Sequence, residues 1–361
     1  MELIAKPGYS DVLSRFEAWW RKEPLDRPLV TIEVEPAHPP RLPQKSHVSV
    51  RDRWLDVEYL VDCVEARMEA GVFLGDTVPI YMPFLGPEVC ATLFGAELRF
   101  ENDVTSYSVP VVHRVRDILA LEPNLDSCYW NRIRQLTDAS IERGQGRWVT
   151  GITDLHTNGD LLAALCDPQT LCMECADDLE GVRLACQHVT DSFATIFEDL
   201  YRRVAAAGQP CTTWTPALSM DRWYTISCDF ICMVSPATFA RAILPSLQRE
   251  IAHMEHSLFH LDGPGALRHL DALLELDSLT AVQWVYGAGA GPAERWIDVY
   301  RRIQDAGKCL QVVGYSGLEE FKALTPHLKP QGVWFWPIGV YSRAEAEEFI
   351  AWTARWAAGK T

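Results

Sequence analysis

The stretch Ser257-Leu-Phe-His260-Leu-Asp262-Gly263-Pro-Gly265-Ala-Leu-Arg-His-Leu-Asp-Ala-Leu-Leu274 decides the fold class. An apolar run of strand length ends in polar residues. A Gly-Pro-Gly turn follows, and a helical pattern runs over 265–276. A short buried strand feeding a helix is the repeating unit of a parallel α/β protein. The same unit recurs along the chain. Strands are expected at 29–35, 77–82, 148–154, 211–215, 257–262, 281–285, 309–313 and 332–336. Helical patterns over 181–206, 236–256, 265–276, 293–306 and 342–358 separate most of the later ones. Pro236 and Pro292 suit first helical turns, and Ser342 suits a cap. Phe239, Ile243, Leu244 and Leu247 form one apolar stripe.

Eight strands alternating with helices predict an α/β fold, a (β/α)8 TIM barrel with loop insertions. It would be one domain over 1–361, with an insertion around 83–131 and a second long loop over 217–226. A doubly wound sheet is the alternative, but no Gly-x-Gly-x-x-Gly turn is present. The run Gly287-Ala-Gly-Ala-Gly291 follows a late strand and reads as a flexible loop.

Composition narrows the function. The chain has 361 residues, 33 Lys plus Arg against 49 Asp plus Glu, and a net charge of −16. That balance argues against nucleic acid and against an anionic membrane surface. No signal pattern or membrane-length apolar run is found, so a cytoplasmic location and a small-molecule substrate are expected. The 11 Cys are scattered and read as reduced, buried core thiols. Cys172 and Cys175 lack a partner pair for zinc, so no metal is expected from this pattern.

Catalytic groups of such barrels come from the carboxyl ends of the strands. Those ends offer Glu35, Tyr81, Asp154, His156, Asn158, Trp214, Tyr224, Asp229, His260, Asp262, Gln283, Trp284 and Trp336. The mixture of carboxylates, amides and indoles suits a polyhydroxylated ligand, and cations are scarce. His260 and Asp262 stand two apart on a strand and so point to one face. Asp262, Asp229, His260 and Asp154 are the candidate catalytic groups. The others are candidate substrate contacts. Each has a plainer alternative: Asp154 or Asp160 as a helix cap, Asp229 as a helix anchor, the indoles as core. Trp19, Trp20, Trp352 and Trp356 are read as core.

The run Asp229-Phe-Ile-Cys-Met-Val-Ser235-Pro236-Ala-Thr-Phe239-Ala-Arg-Ala-Ile-Leu-Pro245 resembles the uroporphyrinogen decarboxylase superfamily. Gly86-Pro87 to Gly95-Ala-Glu97-Leu-Arg-Phe100 and Val282-Gln283-Trp284 also look like its segments. The resemblance spans about 25–355. Phe259 to Asp271 is most similar to a branch described as like corrinoid-associated methyltransferases. The resemblance implies a (β/α)8 barrel with a cleft at the strand ends, and a homodimer. It departs from the decarboxylases at Thr31-Ile-Glu33-Val-Glu35, where their propionate-binding arginines would stand. Porphyrinogen decarboxylation is therefore not expected. It departs from the zinc methyltransferases at His260-Leu-Asp262, where they carry His-x-Cys.

Two functions follow. The first is a carboxylate-based hydrolase acting on a glycoside or similar polyhydroxylated substrate without a cofactor. The second is corrinoid-linked methyl transfer, with zinc or a corrinoid partner.

Overall fold

The computed structural model describes residues 2–287 and 289–360. Ala288, inside the glycine run expected as a flexible loop, lies outside the described residues.

The chain folds as a mixed α/β protein around a mostly parallel sheet. The strands used below are β1 (Leu29–Val30), β2 (Glu33–Val34), β3 (Ile80–Tyr81), β4 (Val149–Thr150), β5 (Trp223–Ser227), β6 (His256–Asp262), β7 (Ala281–Val285), β8 (Cys309–Gly314), β9 (Val333–Pro337) and β10 (Val340–Tyr341). The main ladder has six parallel strands in the order β1-β9-β8-β7-β6-β5. Separate parallel pairs join β3 to β4 and β2 to β10. Outside the ladders run further backbone hydrogen bonds. Ile152 N–H donates to Thr212 O at 2.8 Å, and Asp76 N–H to Val30 O at 2.8 Å.

Strand content differs from the sequence reading in one place that matters. Residues 211–215, expected as a strand, make only an antiparallel bridge between Cys211 and Ser219. The strand lies in the expected loop, at β5, whose five residues are all buried. Its run Trp-Tyr-Thr-Ile-Ser is aromatic and β-branched, which suits a sheet interior. The 83–131 segment holds short 3₁₀ turns at Val89–Phe94 and Val115–Ala120 and a small antiparallel pair.

The helices that position the site are α1 (Tyr9–Trp20), α2 (Asn158–Cys166), α3 (Phe193–Ala206), α4 (Leu244–Ala252) and α5 (Arg343–Ala357). The pattern at 236–256 is not one regular helix. It widens to a π turn over Phe239–Ile243 just before Pro245, whose missing N–H removes a donor from the regular ladder. Ser342 caps α5 in a reciprocal box with Glu345. Trp19 and Trp20 are buried as expected, on the inner face of α1. All 11 Cys are free thiols. Cys128 is exposed and Cys172, Cys175 and Cys232 are half-buried, against the expectation that all line the core. No helix among the described residues is long and apolar enough to cross a membrane.

Asp76 fastens the start of the sheet. Its fully buried carboxylate accepts from Arg15 Nε at 2.7 Å, Arg27 Nη1 at 2.5 Å and Val30 N–H at 2.8 Å. Removing it takes from Arg27 its carboxylate partner and leaves Arg15 with the exposed Asp26, both in a largely buried site. Asp76→Ala should therefore lower stability by about 3–5 kcal/mol, read as a shift of the urea midpoint.

Candidate active site at the strand ends

Parallel register places the central residues. Ser227, His260, Gln283, Gln311 and Trp334 pair in one row across β5 to β9. Side chains of one register row project from the same face. Gln283 Nε2 donates to Gln311 Oε1 at 2.6 Å. That leaves Gln283 Oε1 as the acceptor for His260 Nδ1–H. That bond leaves Nε2 as the His260 ring nitrogen directed away from Gln283. The Trp214 ring meets the His260 ring edge-on, with centroids 4.8 Å apart.

Asp262 follows two residues later and shares that face. Gly263 then turns with φ of 78°, a conformation that favours glycine. The Asp262 carbonyl accepts from Cys232 Sγ at 3.1 Å. A Cβ on Gly265 would stand 3.3 Å from the Cys232 carbonyl oxygen, so glycine allows this close approach. These contacts hold the 3₁₀ turn Asp229–Met233 against the end of β6.

Asp160, in the first turn of α2, holds the other side of that turn. Its carboxylate accepts from the N–H groups of Asp229 and Phe230, both at 2.9 Å. His156 bridges Asp154 Oδ2 at 3.1 Å and Asp160 Oδ2 at 3.3 Å. Burial would lower the His156 pKa, but Asp154 and then Asp160 outweigh it and raise it well above the usual histidine value. His156 is thus an imidazolium between two carboxylates. Burial would raise Asp160, yet His156 and the two N–H groups hold its carboxyl below the usual range.

Two groups of potential ligand atoms result, each within 4.8 Å of one another: His156, Asp160 and Asp229, and Asp229, His260 and Asp262. Asp229 belongs to both. It opens to solvent, but its carboxyl is partly shielded. That desolvation, then the Asp160 and Asp262 charges, push its pKa up against the pull of His260 and His156. The candidates Asp154, His156, Asp229, His260 and Asp262 therefore form one continuous cluster.

Compared with known proteins, the chain matches no family model and no curated sequence.

Other candidates lie elsewhere. Trp284 is fully buried and packs on Trp296 with centroids 5.2 Å apart, away from the Gln283 face. Tyr224 points to α3, against Phe193 and Phe197, and its hydroxyl donates to Thr153 O at 2.8 Å. Asn158 is buried behind the cluster and donates to Ser227 O and Glu250 Oε2. Tyr81 lines a cavity of about 210 Å³ with Trp54, Phe84 and Arg67. Trp336 and Pro216 line another of about 470 Å³. Glu35 is exposed beside β10, its N–H donating to Tyr341 O at 2.9 Å. Asp160 and Gln311 belong to the site although the sequence reading assigned them no site role. The spacing Asp154-x-His156-x₃-Asp160 and two glutamines in buried strands were their only signals.

The resemblance raises a zinc ion, so the donors matter. Asp229, His260 and Asp262 supply oxygen and nitrogen donors, with the second nitrogen of His260 fixed by Gln283. That set fits a divalent cation with N/O ligands. It does not fit thiolate zinc: the thiol nearest Asp262, Cys232, is spent on a backbone carbonyl.

Behind the cluster, Glu250 accepts from Thr157 Oγ1 at 2.6 Å and Asn158 Nδ2 at 2.9 Å. Burial pushes its pKa from 4.5 up to about 8, although those two hydrogen bonds pull the other way. The folded state then binds more protons than the unfolded state between those values. Stability from this group is fully present below about pH 4.5 and is lost as pH rises toward 8. Glu250→Gln should remove a slope of up to about 1.4 kcal/mol per pH unit, read by chemical denaturation across that window. In the wild type, ¹⁵N NMR of His260 should report Nδ1–H; an Nε2–H tautomer would contradict the glutamine relay.

Proposed function

We propose that the chain is a hydrolase acting on a glycoside or similar polyhydroxylated small molecule, and that it is related to the uroporphyrinogen decarboxylase superfamily. We also propose that β1 and β3 to β9 close into a (β/α)8 barrel. The bond Asp76–Val30 supports closure, because it ties β1 to the segment that leads into β3. On that architecture the cluster lies at the carboxyl ends of the strands, the usual place for catalysis.

The convergence of Asp229, His260 and Asp262 within 4.8 Å carries the functional reading. Asp229, whose pKa is raised, is the proton donor to the leaving oxygen. Asp262 is the nucleophile or base on the opposite side of the bond. Carboxyl groups about 5–5.5 Å apart serve retaining enzymes, while inverting enzymes leave about 6.5–9.5 Å for a water. The close spacing here favours retention of configuration. Asp160 aims Asp229 through the turn, and Gln283 orients His260. Trp214 supplies a partly exposed indole for the carbon face of a sugar ring.

A second reading, corrinoid-linked methyl transfer, draws on the same three residues. Asp229, His260 and Asp262 would hold a divalent ion, which supplies Lewis acidity when bound. A corrinoid protein would then dock over the mouth.

Metal analysis and a screen on chromogenic glycosides separate the two. The hydrolase reading expects metal-free protein that turns over a glycoside with retention. Asp262→Asn should abolish turnover while moving stability by no more than about 1–2 kcal/mol. One equivalent of a divalent metal, with no glycoside cleaved, would sink hydrolysis in favour of methyl transfer.

A further inference from the structure

The cavity of about 210 Å³ that Tyr81 lines shares no residue with the Asp229 cluster. The helix Val57–Ala70 builds one wall of it. Leu60, Val64 and Arg67 follow at spacings of four and three, so they share one helical face. Trp54 and Phe84 add two rings, with centroids 6.2 Å apart and planes inclined by 48°. Three charged side chains reach this space: Arg53, Arg67 and Asp103. Arg53 is engaged by the Asp103 carboxylate and lies over the Tyr59 ring. Arg67 is exposed and makes no ion pair among the described residues. The acids nearest it on the helix are taken, Asp62 and Glu65 by Arg143, Glu65 and Glu69 by Arg147. Glu33 borders a neighbouring cavity that Arg67 also lines, without pairing to it. One positive charge is thus left unmatched, in a chain whose net charge is −16. The Tyr81 hydroxyl, at the end of β3, also has no hydrogen-bond partner among the described residues. Burial pushes its pKa up against the pull of Arg67, so at neutral pH it keeps its proton and can donate.

We propose that this cavity binds a small aromatic carboxylate, its anionic end on Arg67 and Tyr81 and its ring among Trp54, Phe84, Leu60 and Val64. A planar guanidinium meets a carboxylate through two parallel hydrogen bonds, a match that a point charge does not offer. Aromatic walls add edge and offset-stacked contacts to a ring beyond the area they cover. A dianion such as a phosphate monoester is disfavoured, because one unmatched cation faces it and Asp103 stands in the same wall. A neutral ring gains nothing from Arg67, and a cation meets it as a like charge. Sites for drug-sized ligands run to about 300–1,000 Å³, so about 210 Å³ suits a single ring. This site is separate from the one that the hydrolase reading uses and does not rest on that reading.

Calorimetric titration of the full-length protein with benzoate and benzamide compares two probes of one shape and different charge. Benzoate should bind roughly tenfold tighter or more, the scale of a charge-assisted hydrogen bond. Cyclohexanecarboxylate, an anion without the aromatic ring, should bind more weakly than benzoate. Arg67→Gln should abolish the preference for benzoate over benzamide, and Arg67→Glu should favour benzylammonium over benzoate. Arg67 is exposed and unpaired, so both variants should keep the wild-type circular dichroism and urea midpoint. Tyr81→Phe should weaken benzoate severalfold by removing the second donor. Asp262→Asn, in the separate cluster, should leave benzoate affinity unchanged. Absence of benzoate binding, or equal affinity for benzoate and benzamide, would overturn the proposal. So would a preference that survives Arg67→Gln, or loss of benzoate binding in Asp262→Asn, which would move the ligand to the cluster. Cyclohexanecarboxylate binding as tightly as benzoate would overturn the aromatic assignment. None of these readings depends on glycoside turnover, so the hydrolase reading can fail while this one stands, and the reverse.

Discussion

The parallel register of β6 with its neighbours is the constraint on which the site depends. Side chains alternate along a strand, so a slip by one residue would turn His260 and Asp262 to the helix side. The register pairs His260 with Gln283 and Gln283 with Gln311. Two amides in a buried layer would be costly alone. Bonded in series to an imidazole, they become a relay that fixes which nitrogen of His260 carries the proton. The same row supplies both the burial and the polarity that the site uses.

A second device carries Asp229 into place. The turn after β5 is held from two directions. Asp160 takes its N–H groups, and the end of β6 takes the Cys232 thiol. Gly263 and Gly265 make the second contact possible, one by conformation and the other by lacking a side chain. Charge follows from this geometry. Asp160 is satisfied and stays ionised, while Asp229 meets repulsion and resists ionisation. Two carboxyls beside one another thereby acquire different roles.

Support extends one layer deeper. Asn158, with φ of 55°, sits at the start of α2 and is tied by its side chain to Ser227 and Glu250. A non-glycine residue in the left-handed region is strained, and asparagine tolerates it better than most. Glu250 on α4 thus links a second helix to the loop that carries His156. The cluster is braced from α2, α4 and the sheet together, so its geometry is set by the whole sheet face and not by one loop.

Much of this was legible in the chain itself. Alternating strands and helices dictated a parallel α/β protein, because the two periodicities differ and repeat. A spacing of two was enough to set His260 and Asp262 side by side on one face. Ser342 and the buried Trp19 and Trp20 also followed from local pattern. Three-dimensional packing decided the rest. Strands buried on both faces read as continuous apolar runs. Nothing local therefore told that Gln283 faces the cluster while Trp284 faces the helices, or that β5 and not 211–215 enters the ladder. Asp160 meets Asp229 across 69 residues of chain, and only the folded sheet brings carboxylates so far apart in sequence within hydrogen-bonding distance of a common turn.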